Sequence, residues 1–276
     1  MLKLMKPFTL CCVAALLTAC AGKVTYQTLP VTVVNSTSHQ LAHSEVLKQT
    51  NHTFKPLTDD HEVMYSQNFG GGGVGVGLLL GPIGVMANVA AIESNTDEDI
   101  AALKGKWNVQ PSALFSKAAA SSGLALDANA VGSIKLTPYA YISKTENEQL
   151  YLAAAMIVET NPGQKDNWVG RYMYQTNVKI SKAELADGVS AAENQRFTAE
   201  LQQGFAEIIK LYQDDKAGKL ASTQSVEIES DFLTPRILVP LLAQQLPSTN
   251  SRQNFRLPLG VFSLNDQALK VTVKKQ

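Results

Sequence analysis

The sequence predicts an α+β fold, in which an antiparallel β-meander is packed by one long and one short amphipathic helix, with a Gly-rich apolar segment beside them. Strand-forming residues are concentrated in three segments with short connections, which favour antiparallel neighbours: residues 133–143, 149–160 and 168–178. Apolar residues then recur at helical spacing after position 190, and more briefly after position 111. Of the 276 residues, 45 % are hydrophobic and 17 % are charged, which is enough apolar surface for one large core or two modest ones.

The first residues predict a secretory signal peptide over residues 1–19. Lys3 and Lys6 form a positive start, and residues 8–17 form an apolar stretch that is too short to remain in a bilayer as a spanning helix. The chain is therefore expected to be exported.

This leader runs into Leu17-Thr18-Ala19-Cys20, which resembles the lipobox of bacterial lipoproteins. The resemblance implies that Cys20 is acylated, with chains such as palmitate, and that the leader is cleaved in front of it. In that family an aspartate after the cysteine retains the protein at the inner membrane. Ala21 stands there instead, so the resemblance implies the periplasmic face of the outer membrane. An ordinary cleaved signal with an incidental cysteine is the alternative.

Composition excludes several classes of protein. The 24 basic and 24 acidic residues balance and are scattered, so there is no basic field to hold nucleic acid. Cys11 and Cys12 leave with the leader, so Cys20 is the only cysteine of the mature chain. A single cysteine cannot form an internal disulfide, and stability must come from packing.

Residues 20–68 are expected to form an N-terminal tether with a short helix. Residues 23–34 alternate β-branched and polar groups, which predicts a strand. Thr37 and Gln40 have the spacing of a capping box, which predicts a helix over residues 38–49.

All four histidines lie in this region, at His39, His43, His52 and His61. On the predicted helix His39 and His43 share a face, a spacing that can hold one metal ion between two imidazoles. This gives the alternative hypothesis of a metal-binding or metal-dependent protein. Gln40 stands where a zinc protease would carry glutamate, so hydrolysis is not supported, and surface histidines without a shared role are the simpler interpretation.

Residues 69–96 form the glycine-rich apolar segment. Gly73, Gly77 and Gly81 are four apart, so a helix would stack them into a groove that another backbone can approach. The pattern resembles the glycine zippers of several bacterial envelope lipoproteins, which implies contact with the membrane or a partner. Pro82 favours two half-helices over one straight helix. Packing on the domain, membrane contact or insertion, and self-association are all open alternatives.

The same run contains G-x-G-x-x-G at Gly70, Gly72 and Gly75, after a possible strand at residues 63–66. A dinucleotide-binding fold would also need a parallel sheet downstream. The downstream strands are predicted to be antiparallel, and a match is nearly automatic in so dense a glycine run. No cofactor is therefore expected.

Residues 97–276 are expected to form the periplasmic α+β domain. Pro111 at the first helical position and Gly123 as the stop predict the limits of the short helix. Ser190 and Glu193 predict a capping box at the start of the long helix, which runs towards a glycine at position 218.

The C-terminal residues predict further strands. On the segment 168–178, alternation places Trp168, Tyr172 and Tyr174 on one face and Arg171 on the other, as in a half-buried sheet. The remaining predictions are a strand at 226–232, a Pro-interrupted apolar run at 237–246, and a hairpin of 255–264 and 269–273 that turns at Asn265-Asp266.

Together these observations predict a non-enzymatic lipoprotein on the periplasmic side of the outer membrane, with another cell-envelope protein as its partner. The sequence shows no nucleophile motif and no phosphate-binding loop, and acylation would consume the one mature thiol. Asp214-Asp215, at the end of the long helix, is interpreted as a solvated pair rather than an acid–base pair.

Overall fold

The structure, a computed structural model, describes residues 24–69, 81–129, 134–145, 147–185, 188–234, 239–248, 252–265 and 269–274. Within these residues four α-helices and eleven strands form a mixed α+β fold in which strands dominate, so the predicted class is confirmed at this level. Several sequence predictions lie outside the described residues: the leader with Cys20, the glycines Gly70, Gly72, Gly73, Gly75 and Gly77, and the turn residue Asp266.

The first part of the chain alternates short strands with helices: α1 (Val31–Asn35), β1 (His39–Leu41), a 3₁₀ turn (Glu45–Lys48), β2 (Phe54–Pro56), β3 (Val63–Ser66), α2 (Gly81–Leu103) and α3 (Pro111–Ser121). The middle part holds the longest strands and helix: β4 (Ile134–Lys144), β5 (Gln149–Thr160), β6 (Trp168–Ser181), a second 3₁₀ turn (Ala183–Leu185) and α4 (Ala191–Lys216). The last part is formed by strands: β7 (Gln224–Ser230), β8 (Leu241–Leu246), β9 (Arg252–Leu257), β10 (Gly260–Asn265) and β11 (Leu269–Val273).

These strands form one sheet in the order β11-β7-β8-β9-β10-β6-β5-β4-β3-β2, with β1 paired to β4. Strands β4, β5 and β6 are antiparallel neighbours, which confirms the predicted meander. The prediction of a wholly antiparallel sheet is wrong, because β1 and β3 run parallel to β4, and β10 runs parallel to β6. Parallel neighbours need long crossovers, which the chain supplies through α2 and α3 before β4 and through α4 and β7–β9 before β10.

Helices α3 and α4 cover one face of the central strands β4–β6. Gly204 brings α4 close to β5, because a Cβ at that position would lie 2.8 Å from the Cβ of Ala154. Tyr172 and Tyr174 of β6 are buried in this core and Trp168 packs against it, as the predicted alternation requires.

Strands β7–β10 curl over the opposite face of the central strands. Ala153 of β5 and Val226 of β7 belong to one buried cluster, although the pairing order would separate them by about 24 Å in a flat sheet. The rings of Tyr141 and Tyr151 both meet the ring of Phe232 edge-on, with centroids 5.7 and 6.1 Å away. The sheet therefore encloses a second core on the side away from α3 and α4.

Two helices begin and end where the sequence predicts. Pro111 is the first residue of α3, and Gly123, with a φ of 69°, follows the residue that caps its end. Ser190 and Glu193 form both hydrogen bonds of the capping box at the start of α4. These signals act through neighbouring residues only, so they do not depend on the rest of the fold.

The elements predicted for the N-terminal region are wrong. Val31–Asn35 forms α1 where a strand is predicted, and His39–Leu41 forms β1 where a helix over residues 38–49 is predicted. Strand β1 pairs with β4, so a partner that is distant in sequence overrides the capping-box spacing of Thr37 and Gln40.

The predicted C-terminal hairpin is wrong in its partners. Strands β9 and β10 form the hairpin, with Pro258 and Leu259 as its turn, and β11 pairs with β7 instead. Strand β10 is already hydrogen-bonded to β9 on one edge and to β6 on the other, so it offers β11 no free edge. The strand predicted at 226–232 is found as β7, and in the run 237–246 a strand begins at Leu241.

Helix α2 contains the last part of the glycine-rich segment. It is a single helix of 23 residues that starts at Gly81, continues past residue 96 and ends at Leu103. The half-helix predicted before Pro82 lies outside the described residues. Among the helices that the structure describes, none is both long and apolar enough to cross a membrane.

Candidate functional site

His39, the first predicted metal ligand, lies in the core. It begins β1, is 4 % exposed, and its Nε2 lies 3.1 Å from the hydroxyl of Tyr212 in α4. Burial, and then the nearby ammonium group of Lys216, lower the pKa of His39 to about 4, so its imidazole is neutral at pH 7. The prediction that His39 shares a helical face with His43 is wrong, because His39 belongs to a strand and joins it to α4.

His43 and His61 line one cleft of about 370 Å³. The structure thus brings together two of the four histidines that the sequence singles out and places His39 elsewhere. His52 is not among the residues of this cleft. The other lining residues are mostly polar: Ser44, Leu47, Lys48, Asp59, Asp60, Glu62, Thr137 and Pro138.

The carboxylates of this cleft are engaged within the fold. Asp60 accepts a hydrogen bond of 2.9 Å from the backbone N–H of Glu62, and Glu62 accepts one of 3.2 Å from the N–H of Ser112 at the start of α3. Asp59 pairs with Lys104 at 2.8 Å. In the part of the chain that the structure describes, no group of three or more His, Cys, Asp or Glu side chains is arranged to hold a metal ion.

A buried carboxylate joins α2 to the central sheet, and we call this cluster the Asp99 centre. Asp99 is 1 % exposed and accepts hydrogen bonds of 2.6 Å from both the Tyr65 hydroxyl and the Lys144 ammonium group, while Lys182 pairs with its other oxygen. Burial opposes the ionisation of Asp99, but the hydrogen bonds from Lys144, Lys182 and Tyr65 outweigh it and lower its pKa. Glu148 lies 3.8 Å from Lys144. The centre lies where β4 and β6 end.

A second buried ion pair lies at the opposite end of the central sheet, where β4 and β6 begin, and we call it the Asp215 centre. Arg256 of β9 donates to both carboxylate oxygens of Asp215 in α4, at 2.6 and 3.1 Å, and both side chains are 9 % exposed. The Tyr172 hydroxyl donates to the same carboxylate at 2.7 Å. Burial and this carboxylate raise the pKa of Tyr172. The interpretation of Asp214-Asp215 as solvated is therefore wrong for Asp215.

The first described residues are fixed to the body beside the Asp215 centre. Gln27 is buried, and its side-chain oxygen accepts a hydrogen bond of 2.7 Å from the N–H of Arg171 in β6. Its backbone carbonyl accepts one of 2.9 Å from Arg256, and its N–H donates to the Leu257 carbonyl at 3.4 Å. The chain therefore meets the ends of two strands a few residues after Cys20.

Comparison with protein families, with curated protein sequences and with solved structures gives no match for this chain.

Sequence reasoning missed both buried carboxylates. Ile92, Thr96, Asp99 and Leu103 are buried at helical spacing along α2, so an acidic residue on the same helical face as Ile92 and Leu103 is the signal that could have identified the Asp99 centre. No comparable signal marks Asp215, because its burial depends on Arg256, which is distant in the chain.

Proposed function

We propose that this protein is an outer-membrane lipoprotein, held on the periplasmic face by acyl chains on Cys20, that binds another cell-envelope component without catalysing a reaction. The observation that carries the proposal is the lipobox-like sequence Leu17-Thr18-Ala19-Cys20 at the end of an export signal. The attachment of Gln27 to the ends of β6 and β9 supports it, because a short tether would hold the folded body at the membrane.

Acyl chains supply the affinity for lipid in this proposal. Each buried methylene contributes about 0.8 kcal/mol, so one chain gives marginal attachment and two or three give a stable anchor. The charges of the chain balance, so electrostatic attraction to anionic lipid adds little. Attachment therefore depends on a single sulfur atom.

A partner-binding role is supported by the first half of α2. Met86 is 72 % exposed, and Ala87 and Ala90 are also exposed, so this part of the helix presents apolar side chains to its surroundings. Ala87 and Ala90 have small side chains, and the sequence places Gly73, Gly77 and Gly81 four residues apart before them, a pattern that permits close backbone contact with a partner helix.

The anchor is tested by Cys20→Ser. We expect the wild-type protein to fractionate with outer-membrane vesicles and to show the added mass of acyl chains, because the sulfur carries them. The variant should lose the added mass, and it should either keep its leader through altered processing or appear in the soluble periplasmic fraction. A wild-type protein that stays with the membranes at its unmodified peptide mass would contradict the proposal.

The partner surface is tested by site-specific photocrosslinking in intact cells. Met86→p-benzoylphenylalanine should give a defined crosslinked product that mass spectrometry identifies as an envelope protein. The matched control is Lys179→p-benzoylphenylalanine, on an exposed position of β6. Equal crosslinking at both positions, or none at position 86, would argue against a partner on α2.

A metal-binding role for the histidine region is the second candidate, and one observation favours it: His43 and His61 line the same cleft. Titration with zinc should then show binding that the double substitution His43→Ala and His61→Ala abolishes, while His52→Ala leaves it unchanged. Identical zinc binding by all three proteins removes this candidate.

A further inference from the structure

Exposed apolar side chains are concentrated at the end of the sheet that holds the Asp215 centre. Within the described residues, seven large apolar side chains are exposed. Four of them lie at this end: Val31 (73 %), Val34 (39 %), Val169 (40 %) and Leu259 (69 %). Single exposed apolar residues are ordinary, but a group of them in one place marks a surface that contacts something apolar.

Strand register brings Leu259 and Val169 together. Leu259 lies in the turn between β9 and β10, and the next residue, Gly260, lies so close to the Arg171 carbonyl that a Cβ there would overlap it. Val169 lies two residues before Arg171 on β6. The hairpin turn and the start of β6 therefore form one continuous surface.

Helix α1 extends this surface. The chain enters α1 from Gln27, which is hydrogen-bonded to Arg171 and Arg256. It leaves α1 at Ser36, whose carbonyl accepts a hydrogen bond from Lys216 at the end of α4. The exposed valines of α1 are therefore held between two contacts at the same end of the molecule.

The length of the tether limits where a membrane can lie. Cys20 and Gln27 can be separated by at most about 25 Å of fully extended chain. Strand β6 has 14 residues and is about 46 Å long, and Gln27 binds it near its start. Lipid attached at Cys20 therefore lies within reach of the start of β6 and out of reach of its far end.

We propose that the surface formed by Val31, Val34, Val169 and Leu259 rests on the lipid bilayer. This inference rests on the proposed acylation of Cys20, which brings lipid to this end of the molecule. The side chains enter the boundary between headgroups and acyl chains, where apolar groups leave water without crossing the membrane. The body then has a fixed orientation, with the Asp99 centre directed away from the membrane.

Site-specific labelling of the full mature lipoprotein tests this orientation. Since Cys20 is acylated and is the only mature cysteine, Leu259→Cys provides a unique thiol for an environment-sensitive fluorophore. In vesicles of phosphatidylethanolamine and phosphatidylglycerol with spin-labelled acyl chains, we expect fluorescence to be lost at position 259. The matched control, Lys179→Cys near the far end of β6, should keep its fluorescence. Val31→Cys is a second reporter should labelling at 259 impair folding.

The outcomes separate this inference from the anchor itself. Acylated protein that floats with the vesicles but shows equal fluorescence at positions 259 and 179 overturns the lipid-facing surface and leaves the anchor intact. A label at 259 that is protected from aqueous iodide but is not quenched by the spin-labelled lipid indicates a second copy of the chain on this surface, which also overturns the inference. An intact mass without acyl chains overturns the anchor and the inference together.

Discussion

A buried carboxylate lies at each end of the central sheet, but the charged groups around the two carboxylates differ. At the Asp99 centre one carboxylate pairs with two ammonium groups, those of Lys144 and Lys182. At the Asp215 centre one carboxylate meets one guanidinium, Arg256, in two parallel hydrogen bonds. Both ends therefore contain buried charges, but only at the Asp99 centre does one buried carboxylate pair with two cations.

Each centre joins a different part of the chain to the central sheet. The Asp99 centre fastens α2, which continues the glycine-rich segment, to the ends of β3 and β4. The Asp215 centre fastens α4, β9 and, through Gln27, the start of the described chain. Buried ion pairs add little net stability compared with apolar packing, but removing one partner is costly. Loss of one charged partner is therefore expected to destabilise the contact between the sheet and the segment that each centre joins to it.

Asp99→Ala should cause the largest loss of stability, at the end of the sheet that holds the Asp99 centre. It removes the buried carboxylate that pairs with both Lys144 and Lys182, so we expect the free energy of unfolding to fall by about 4–5 kcal/mol. Urea denaturation measures this change. The control is Asp97→Ala in the same helix, whose side chain is 59 % exposed and pairs with Lys55, and whose loss should be below about 1 kcal/mol. Equal losses of unfolding free energy in the two variants would show that the burial of Asp99 does not increase its contribution to stability.

Arg256→Met, at the Asp215 centre, should lower the free energy of unfolding by about 3 kcal/mol. It leaves the buried Asp215 carboxylate with the Tyr172 hydroxyl as its hydrogen-bond donor and without a counter-charge. Adding Asp215→Leu should recover part of this loss, since no unpaired charge then remains. Denaturant midpoints of the single and double variants measure the coupling. Strictly additive losses would contradict a coupled ion pair.

The two ends should also lose stability in different pH ranges. His39, which packs on α4, has a folded pKa of about 4, below its usual 6.5. The unfolded chain therefore binds a proton that the folded protein does not, and stability falls by up to about 3 kcal/mol as the pH drops from 6.5 to 4. The folded pKa of Asp99 is lowered, so the stability that its ionised form contributes is lost as the pH falls from the usual pKa of an aspartate towards this lower value.

His39→Gln provides the matching control, because glutamine can still hydrogen-bond to Tyr212 but does not titrate. Urea midpoints measured from pH 7 to pH 3 should show a flatter profile between pH 6.5 and 4 and an unchanged loss at lower pH. A variant with the wild-type profile in the upper range would assign that loss to another group.

Gly204→Ala should have the smallest effect, at the middle of the sheet between the two centres. The new methyl group would overlap Ala154, which costs about 1–3 kcal/mol, while alanine favours the helix by about 1 kcal/mol. We expect a net loss of about 1 kcal/mol in thermal or urea unfolding. Gln203→Ala, on an exposed position of the same helix, should be nearly neutral. A stabilised Gly204→Ala protein would show that α4 can shift away from β5.

The N-terminal region shows why part of the candidate site was not predictable. The spacing of His39 and His43 is compatible with a helix, and no neighbouring residue reveals that β4 will take His39 into a strand. The cleft with His43 and His61 forms because residues 44–62 fold back, which no local pattern specifies. Long-range pairing is weakly encoded in single positions, since many strands have similar edges.

The β4–β6 meander and the limits of α3 and α4 were predictable from the amino-acid sequence, because periodicity, capping and tight turns act between neighbouring residues. Only the folded molecule reveals the parallel pairings of β1, β3 and β10, the pairing of β11 with β7, and the burial of Asp99 and Asp215. The reason is physical: a free strand edge, or the counter-charge for a buried carboxylate, comes from residues far away in the chain, and only the folded molecule brings them together.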